Sequence, residues 1–269
     1  MIEATITDQE FGLFQRLIYK IAGISLSDAK KILLVGRLTR RLTQYELSSF
    51  SDYYRLLASG DYPEEVQTMV DLLTTNETYF FREPKHFDFL RHEIVANRTS
   101  QATFRVWSAA SSSGEEAYSI AMTLAEAMPS KPWEIVGSDI STKVLAKAIA
   151  GHYSLARTEG IPTGHMHKYC LKGIRSHAGS FLIRPELRQK TSFFQINLMH
   201  PVDADIGEFD VIFLRNVMIY FDPPTKARVV HNLLPRLRAG GYLIIGHSET
   251  LNGITDRVVS IRPTIYRKP

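Results

Sequence analysis

The chain has 269 residues, 44% of them hydrophobic and 22% charged, which is enough apolar material for one large domain or a small domain beside a larger one and excludes a disordered chain. A single cysteine, Cys170, excludes an intramolecular disulfide and fits a reducing compartment. The formal net charge of +4 favours an acidic partner without naming one.

The opening MIEATITDQEFG, with Glu3, Asp8 and Glu10, lacks the basic-then-apolar order of a secretory leader. No apolar run approaches membrane-spanning length, so a cytoplasmic protein with no membrane insertion is expected. Up to about Leu90 the pattern is helical. Phe11, Phe14, Leu17, Ile18 and Ile21 recur at helical spacing and stop near Gly23, and a second amphipathic stretch runs from Leu26 to Leu42. Two shorter helices are expected over 51–58 and 63–73, and no strand before Phe104. The second stretch carries Lys30, Lys31, Arg37, Arg40 and Arg41. Helical spacing groups the three arginines on one surface that suits an acidic helix, although a solvated basic face is the commoner role of such a run. Nucleic acid is disfavoured, because no aromatic residues interleave these arginines as stacking platforms.

From Phe104 onward strands and helices alternate. Strand 104–109, helix 115–128, strand 133–138 and helix 142–150 come first. Strands 192–196 and 210–214, helix 224–238, strand 242–246 and a final apolar stretch over 258–266 complete the series. This alternation argues a mostly parallel sheet covered by helices on both faces. Between the two halves, residues 151–189 are richer in Gly, His and Arg, with a short extended piece over 180–184, and read as a small inserted β excursion.

Chemistry concentrates where strands end. Val106 to Ser119, VWSAASSSGEEAYS, runs from a strand through small residues and one glycine into a helix opening on two glutamates, and VGSDIS ends the next strand on Asp139. In such sheets a nucleoside lies outside the carboxyl ends of the first strands, and an acid ending the second can hold the ribose diol. The pattern G-x-G-x-x-G is absent, so a ligand without phosphate, such as S-adenosylmethionine, is favoured. Glu115 or Glu116 could meet its ammonium group, or both could merely complement the helix dipole. Asp139 could equally be a helix cap, since a helix follows it.

Three further stretches end in polar groups: LTTNETYFFRE (73–83), FFQINL (193–198) and DVIFLRNVMIYF (210–221). Each polar group has an ordinary reading by itself: Asn76 and Thr78 as turn formers, Arg82 paired with a glutamate, Asn197 as a turn cap, Tyr220 as a core aromatic with a wet hydroxyl. Together they place a polar terminus on every strand along one sheet edge, which chance rarely does. A metal is not expected, because His165, His167 and His177 lack companion ligands at suitable spacing. Ser111 to Ser113 lack the G-x-S-x-G elbow of a hydrolase. Asp222, Pro223 and Pro224 read as a helix cap and first turn.

In this order and at this spacing, TTNETYFFRE, WSAASSSGEEAYSIAM, SDIS, INL and FLRNVMIYF resemble the CheR family of chemotaxis receptor methyltransferases over nearly the whole chain. The resemblance implies an all-α N-terminal domain (1–73) and a linker contributing to the active site (74–91). It further implies a Rossmann-like S-adenosylmethionine-dependent methyltransferase domain (92–269) of α/β class, with a small antiparallel β subdomain inserted at about 151–190. The implied reaction methylates glutamate side chains on the cytoplasmic helical domain of chemoreceptors, the methyl-accepting chemotaxis proteins, giving methyl esters and S-adenosylhomocysteine for chemotactic adaptation. Carried over by motif, Asn76, Thr78, Arg82, Glu116, Asp139, Asn197, Leu198, Leu214 and Arg215 form the cofactor shell. Arg82 and Tyr220 look like the residues nearest the transferred methyl, and, on charge rather than motif, the basic face of Arg37, Arg40 and Arg41 is expected to meet acidic receptor helices. In some members the β subdomain adds a strand to a receptor C-terminal peptide. Here LKGIRSHAGSFLIRPEL puts Ile174 and Arg175 where a more glycine-rich loop is expected, which leaves that tether undecided.

The chemistry agrees with the resemblance. A glutamate with a pKa of about 4.3 is ionised at neutral pH, so its attack on a sulfonium methyl needs no general base. A nucleic-acid methyltransferase would want a flipped-base pocket with stacking aromatics. A non-catalytic cofactor sensor would not need Arg82 and Tyr220.

Overall fold

The computed structural model describes residues 5–269; Glu3 lies outside them. Four helices open the chain. Helix α1, Asp8–Ala22, starts on a reciprocal cap in which the Glu10 amide donates to Thr7 Oγ1 and the Thr7 amide donates to Glu10 Oε2, and it ends on Gly23 at φ 70°. Helices α2 (Lys31–Gln44), α3 (Phe50–Ala58) and α4 (Pro63–Leu73) follow close to the expected bounds. Phe14, Ile18, Leu34, Leu38, Phe50 and Tyr53 fill the core between them.

The three arginines of α2 do not form one free surface. Arg41 forks onto Glu65 of α4, which is 3% exposed and also accepts from the Tyr53 hydroxyl at 2.6 Å and the Tyr45 hydroxyl at 3.1 Å. Burial alone would raise the Glu65 pKa, but hydrogen bonds from Arg41 and Tyr53 and the Arg41 charge outweigh it, and the net shift is downward. Arg37 donates to the carbonyls of Leu73 and Thr74, at 3.2 and 2.9 Å, and so finishes the open end of α4. Arg40 alone of the three is exposed. Helical spacing placed these residues on neighbouring rows and could not see that α4 packs against two of them.

Helix α5, Lys85–Phe89, continues as a wider π-helical stretch through Val95. Phe87, Phe89, Leu90, Ile94 and Val95 are buried in the same cluster as the sheet residues Phe104, Val106 and Ile135. The later part of the expected linker is thus an outer helix of the sheet domain. Strand β1 (Phe104–Ser108), helix α6 (Glu115–Ala127), strand β2 (Trp133–Asp139) and helix α7 (Thr142–Ala150) form the first α/β half. The excursion holds β3 (His152–Ser154), α8 (Thr163–Tyr169), β4 (Cys170–Lys172), β5 (Ser180–Ile183) and α9 (Pro185–Arg188). Its three strands form a separate antiparallel sheet in the order β3-β5-β4. Arg175 takes φ 52° in its β4–β5 loop, a conformation that glycine adopts at less cost.

The chain then returns through β6 (Thr191–Gln195), β7 (Phe209–Leu214), helix α10 (Pro223–Leu233), β8 (Leu237–Ile245), β9 (Val259–Arg262) and β10 (Ile265–Arg267). The main sheet has the order β6-β2-β1-β7-β8-β10-β9; the first five strands are parallel and the last two an antiparallel edge. Alternate side chains feed two cores. Val106, Ile135, Val211 and Phe213 face α6, while Trp107, Val136, Ile212 and Leu214 face α10, as expected of parallel strands covered on both sides.

One boundary differs from the expectation. Helix α10 stops at Leu233 rather than near 238, and β8 begins at Leu237 rather than Tyr242. Pro235 interrupts the helix. The pair Gly240 and Gly241 sits inside β8, where its pairing with β7 shifts register. A Cβ on Gly241 would stand 2.9 Å from the Asp210 carbonyl oxygen, so the strand passes there only as glycine.

The helical domain sits on the carboxyl edge of the main sheet. A Cβ on Gly23 would lie 2.5 Å from Met199 Sδ and 2.6 Å from Thr225 Cγ2. Asn197 Nδ2 donates to the Ile21 carbonyl at 2.6 Å, and the Ser25 amide to the Tyr220 carbonyl at 2.9 Å. Among the described residues no helix is long and apolar enough to cross a membrane.

Candidate active site

From β1 the chain steps outward to β2 and β6, then crosses back to β7 and β8, so the strand order reverses between β1 and β7. Splayed loops at such a switch point leave a crevice beyond the carboxyl ends of the strands. A cavity of about 380 Å³ lies there. Its floor is the strand ends, one wall is the linker residues Asn76, Thr78 and Arg82, and its roof includes Ile24, Leu26 and Leu33 of the helical domain.

The β1–α6 loop is held tightly against β2. Gly114 has φ 95°, and a Cβ there would meet Ala148 and the Tyr153 hydroxyl at 2.9 Å. Ser112 has φ 48°, and its amide donates to Asp139 Oδ2 at 2.9 Å, while the Ser141 amide donates to Oδ1 at 3.0 Å. Asp139 is therefore both an anchor for the start of α7 and part of the cavity lining. Its two oxygens offer about four acceptor sites, and these two amides leave acceptor capacity for a vicinal diol. Burial pushes the Asp139 pKa upward against its backbone donors.

The two glutamates of α6 separate. Glu115, fully buried, accepts from the Ser113 hydroxyl and from Arg157, outside the cavity. Glu116 lines it. Glu116 Oε1 accepts from the Ser108 hydroxyl at 2.6 Å, and Oε2 from Arg215 Nη1 at 2.9 Å. The Arg215 side chain, 1% exposed, is forked between Glu116 and Glu83 and also donates to the Arg82 carbonyl. Burial would raise the Glu83 pKa, but the Arg215 charge and hydrogen bonds from Arg215, Asn216 and the His247 amide bring it down to about 2.

Glu83 was not singled out from the sequence, although it closes the quoted motif TTNETYFFRE. The available signal was donor count: the guanidinium of an arginine ending a buried strand carries five N–H groups, more than one carboxylate accepts. Glu83, His86 and His247 also bring potential metal-ligand atoms within 4.8 Å of one another. Glu83 is already taken by Arg215 and Asn216, and the guanidinium opposes a second cation there. His86 has its pKa lowered to about 3 by burial and by Arg215, and its Nε2 lies 2.9 Å from the Thr264 hydroxyl. The group supports Arg215.

Arg82 Nη1 donates to the Glu77 carbonyl at 3.1 Å, with its guanidinium 5.7 Å from the centre of the Tyr79 ring. Half-buried Tyr220 lines the same cavity, and burial raises its phenol pKa while the nearby Arg82 charge pulls it down. Asn76 donates to Thr74 Oγ1 at 3.1 Å, and its carbonyl accepts from the Ser112 hydroxyl. Asn197 does cap a turn, its Oδ1 accepting from the Met199 amide at 3.0 Å, yet it lines the cavity together with Leu198. Leu214 lies fully buried in the sheet core and is not part of the lining. The roof from the helical domain carried no sequence signal, because it depends on how two domains dock.

This chain matches the CheR methyltransferase all-alpha domain over residues 9–74 and the CheR methyltransferase SAM-binding domain over residues 76–266. It belongs to the CheR methyltransferase family. It is 42% identical over 262 residues to chemotaxis protein methyltransferase 2 of Pseudomonas aeruginosa, covering 97% of this chain and 93% of that protein. It is 39% identical over 263 residues to the chemotaxis protein methyltransferase of Escherichia coli, covering 97% and 91%. It is 35% identical over 277 residues to the chemotaxis protein methyltransferase of Borreliella burgdorferi, covering 99% of this chain and 96% of that protein. This CheR-family enzyme is therefore an S-adenosylmethionine-dependent methyltransferase.

The cavity suits that cofactor chemically. Asp139 offers acceptors for a ribose diol, Glu116 a carboxylate for an ammonium, and Ala109, Ile140, Ile196 and Leu198 an apolar surface for a base. The serine-rich β1–α6 loop presents no glycine-rich phosphate cradle.

Proposed function

We propose that this enzyme works in the cytoplasm, where it transfers a methyl group from S-adenosylmethionine to glutamate side chains on the cytoplasmic helices of chemoreceptors. The products are a glutamate methyl ester and S-adenosylhomocysteine. The observation that carries this reading is the convergence of Arg82 and Tyr220 on one cavity that Asp139 and the Glu116–Arg215 pair also line.

When bound, the cofactor supplies an electrophilic methyl on a sulfonium. The residues supply position. Asp139 accepts from the ribose hydroxyls, and Glu116, kept ionic by Arg215, accepts from the ammonium. Asn76, Thr78, Arg82, Asn197, Leu198 and Arg215 complete the cofactor shell, and Leu214 backs it from the core. Arg82 and Tyr220 orient the incoming carboxylate so that one oxygen faces the methyl, and no side chain needs to remove a proton. The roof from the helical domain excludes water, which would otherwise solvate the two opposite charges that cancel during transfer. On this reading Arg82→Ala lowers the rate at saturating cofactor by about one to two orders of magnitude and, because Arg82 also belongs to the cofactor shell, weakens cofactor binding as well, whereas Tyr220→Phe lowers the rate by about tenfold with little change in cofactor affinity. Single-turnover assays at saturating cofactor check both. Full rates in either variant remove that residue from the orienting role.

The receptor-facing set of Arg37, Arg40 and Arg41 acts through two different routes. Exposed Arg40 meets acidic receptor helices directly, whereas Arg37 and Arg41 shape the surface by fixing α2 to α4. Arg40→Glu is expected to raise KM for receptor by about tenfold with unchanged melting temperature. Arg41→Glu is expected to destabilise the enzyme by about 3–5 kcal/mol, because it leaves Glu65 buried beside a like charge. Receptor titrations and thermal melts separate the two. The function is tested by incubating the enzyme and labelled cofactor with a receptor cytoplasmic fragment, with RNA or with no acceptor. Base-labile label on the fragment alone supports the reading, and label on RNA overturns it.

A further inference from the structure

Glu249 belongs to neither the cofactor shell nor the substrate contacts, yet both its oxygens are committed. In the loop after β8, its Oε2 accepts from the amides of Asn216 at 2.9 Å and Gly246 at 2.7 Å, and its Oε1 from the Met218 amide at 2.8 Å. These donors are main-chain groups rather than a cation. Asn216 holds φ 57°, and a single helical turn, Met218–Tyr220, follows it. Amides opening such a turn have no partner within it. For Met218 a carboxylate 31 residues further along the chain supplies one.

The two loops meet without slack. A Cβ on Gly246 would stand 2.6 Å from Asn216 Nδ2 and 2.8 Å from Glu249 Oε2. Arg215 has anchors of its own in Glu83, Glu116 and the Arg82 carbonyl. Tyr220 is placed differently. Its backbone is held by the Ser25 amide at 2.9 Å and by the turn that Glu249 fastens.

We propose that Glu249 is a positioning residue for methyl transfer: by holding the amides of Asn216 and Met218 against the loop after β8, it fixes the turn that presents Tyr220 to the cavity. The proposal rests on the reading of Tyr220 as the group beside the acceptor carboxylate. Glutamine keeps the shape of Glu249 but puts an NH2 where an oxygen accepts an N–H, so two donors oppose each other. Aspartate keeps both oxygens on a shorter stem.

The test uses the full-length enzyme with Glu249→Gln, Glu249→Asp, Tyr220→Phe and the double variant Glu249→Gln/Tyr220→Phe. Each is measured for transfer to a receptor cytoplasmic fragment, S-adenosylhomocysteine binding by calorimetry, and amide hydrogen exchange over residues 215–220. Expected for Glu249→Gln are faster exchange over 216–220, S-adenosylhomocysteine affinity within about threefold of the unaltered enzyme, and kcat lower by about tenfold or more. Because Glu249 acts through Tyr220, the same substitution in the Tyr220→Phe background lowers kcat by no more than about twofold. Glu249→Asp recovers part of the loss. Unchanged exchange over 216–220 overturns the proposal whether or not the receptor fragment is the acceptor. Unchanged kcat, a proportional loss of affinity and kcat, or a full tenfold loss in the Tyr220→Phe background overturns it as well. An unaltered enzyme that methylates no receptor fragment overturns the function reading instead.

Discussion

Arg215→Met is expected to cost about 3–5 kcal/mol of folding stability and to abolish measurable methyl transfer at neutral pH. The guanidinium is forked between Glu83 and Glu116 and also donates to the Arg82 carbonyl, all inside a site where water cannot replace it. Removing one partner of such a network leaves two carboxylates facing each other in a poor solvent, which is costlier than never having buried the charges. The pH dependence identifies the cause. Glu83 titrates at about 2 in the folded enzyme, below its ordinary value, so its contribution to stability is full above the unfolded pKa of about 4.3 and is lost as pH falls towards 2. Without Arg215 that pKa rises, so the stability gap between the variant and the parent should shrink as pH drops below about 4.5. Chemical denaturation at pH 7.5 and pH 4 checks this. A gap that stays constant with pH would mean that Arg215 contributes packing alone.

Much of this architecture was legible because its signals are local. Helix α4 and the α/β alternation follow from apolar spacing, and Asp139 follows from an acid ending the second strand of an α/β unit. What was missed depends on contacts between distant segments. Glu83 meets Arg215 across 132 positions, and Arg41 meets Glu65 across 24. Periodicity reports which face a residue occupies and not what lies opposite. The late start expected for β8 has a related cause in Gly241. Gly241 permits the close approach of the Asp210 carbonyl, which no pattern within β8 reveals. Glu115 and Glu116 stand side by side in sequence and were separable only once Arg157 and Arg215 had approached from different sides.

The same separation explains how the site tolerates several carboxylates. Glu83 and Glu116 share the positive charge of Arg215, Glu115 has Arg157, and Asp139 and Glu249 are satisfied by main-chain amides alone. The groups held by arginine are fixed as ion pairs. Of those held by amides, Glu249 has both oxygens committed, while Asp139 accepts from one amide on each oxygen, keeps acceptor capacity available and lines the cavity.

That availability leads to the second large effect. Asp139→Ala is expected to weaken S-adenosylhomocysteine binding by about a hundredfold or more, since hydrogen bonds to a charged acceptor contribute about 1.5–3 kcal/mol each and a diol makes two. The substitution also strands the Ser112 and Ser141 amides, which are buried and now lack an acceptor. A loss of folding stability of about 1–3 kcal/mol should therefore accompany the loss of affinity. Asp139→Asn separates these contributions. Its single carbonyl oxygen can satisfy only one of the two amides, and its NH2 confronts the other, so stability should fall nearly as far as in the alanine variant. Its affinity should lie between the two, because one face of the amide can still accept from a ribose hydroxyl. Pairing adenosine with 2′-deoxyadenosine as competing ligands completes the argument. The unaltered enzyme should prefer adenosine by about tenfold, and Asp139→Ala should bind both equally. If Asp139→Ala keeps the preference, the carboxylate serves α7 and the loop alone, and the ribose is held elsewhere.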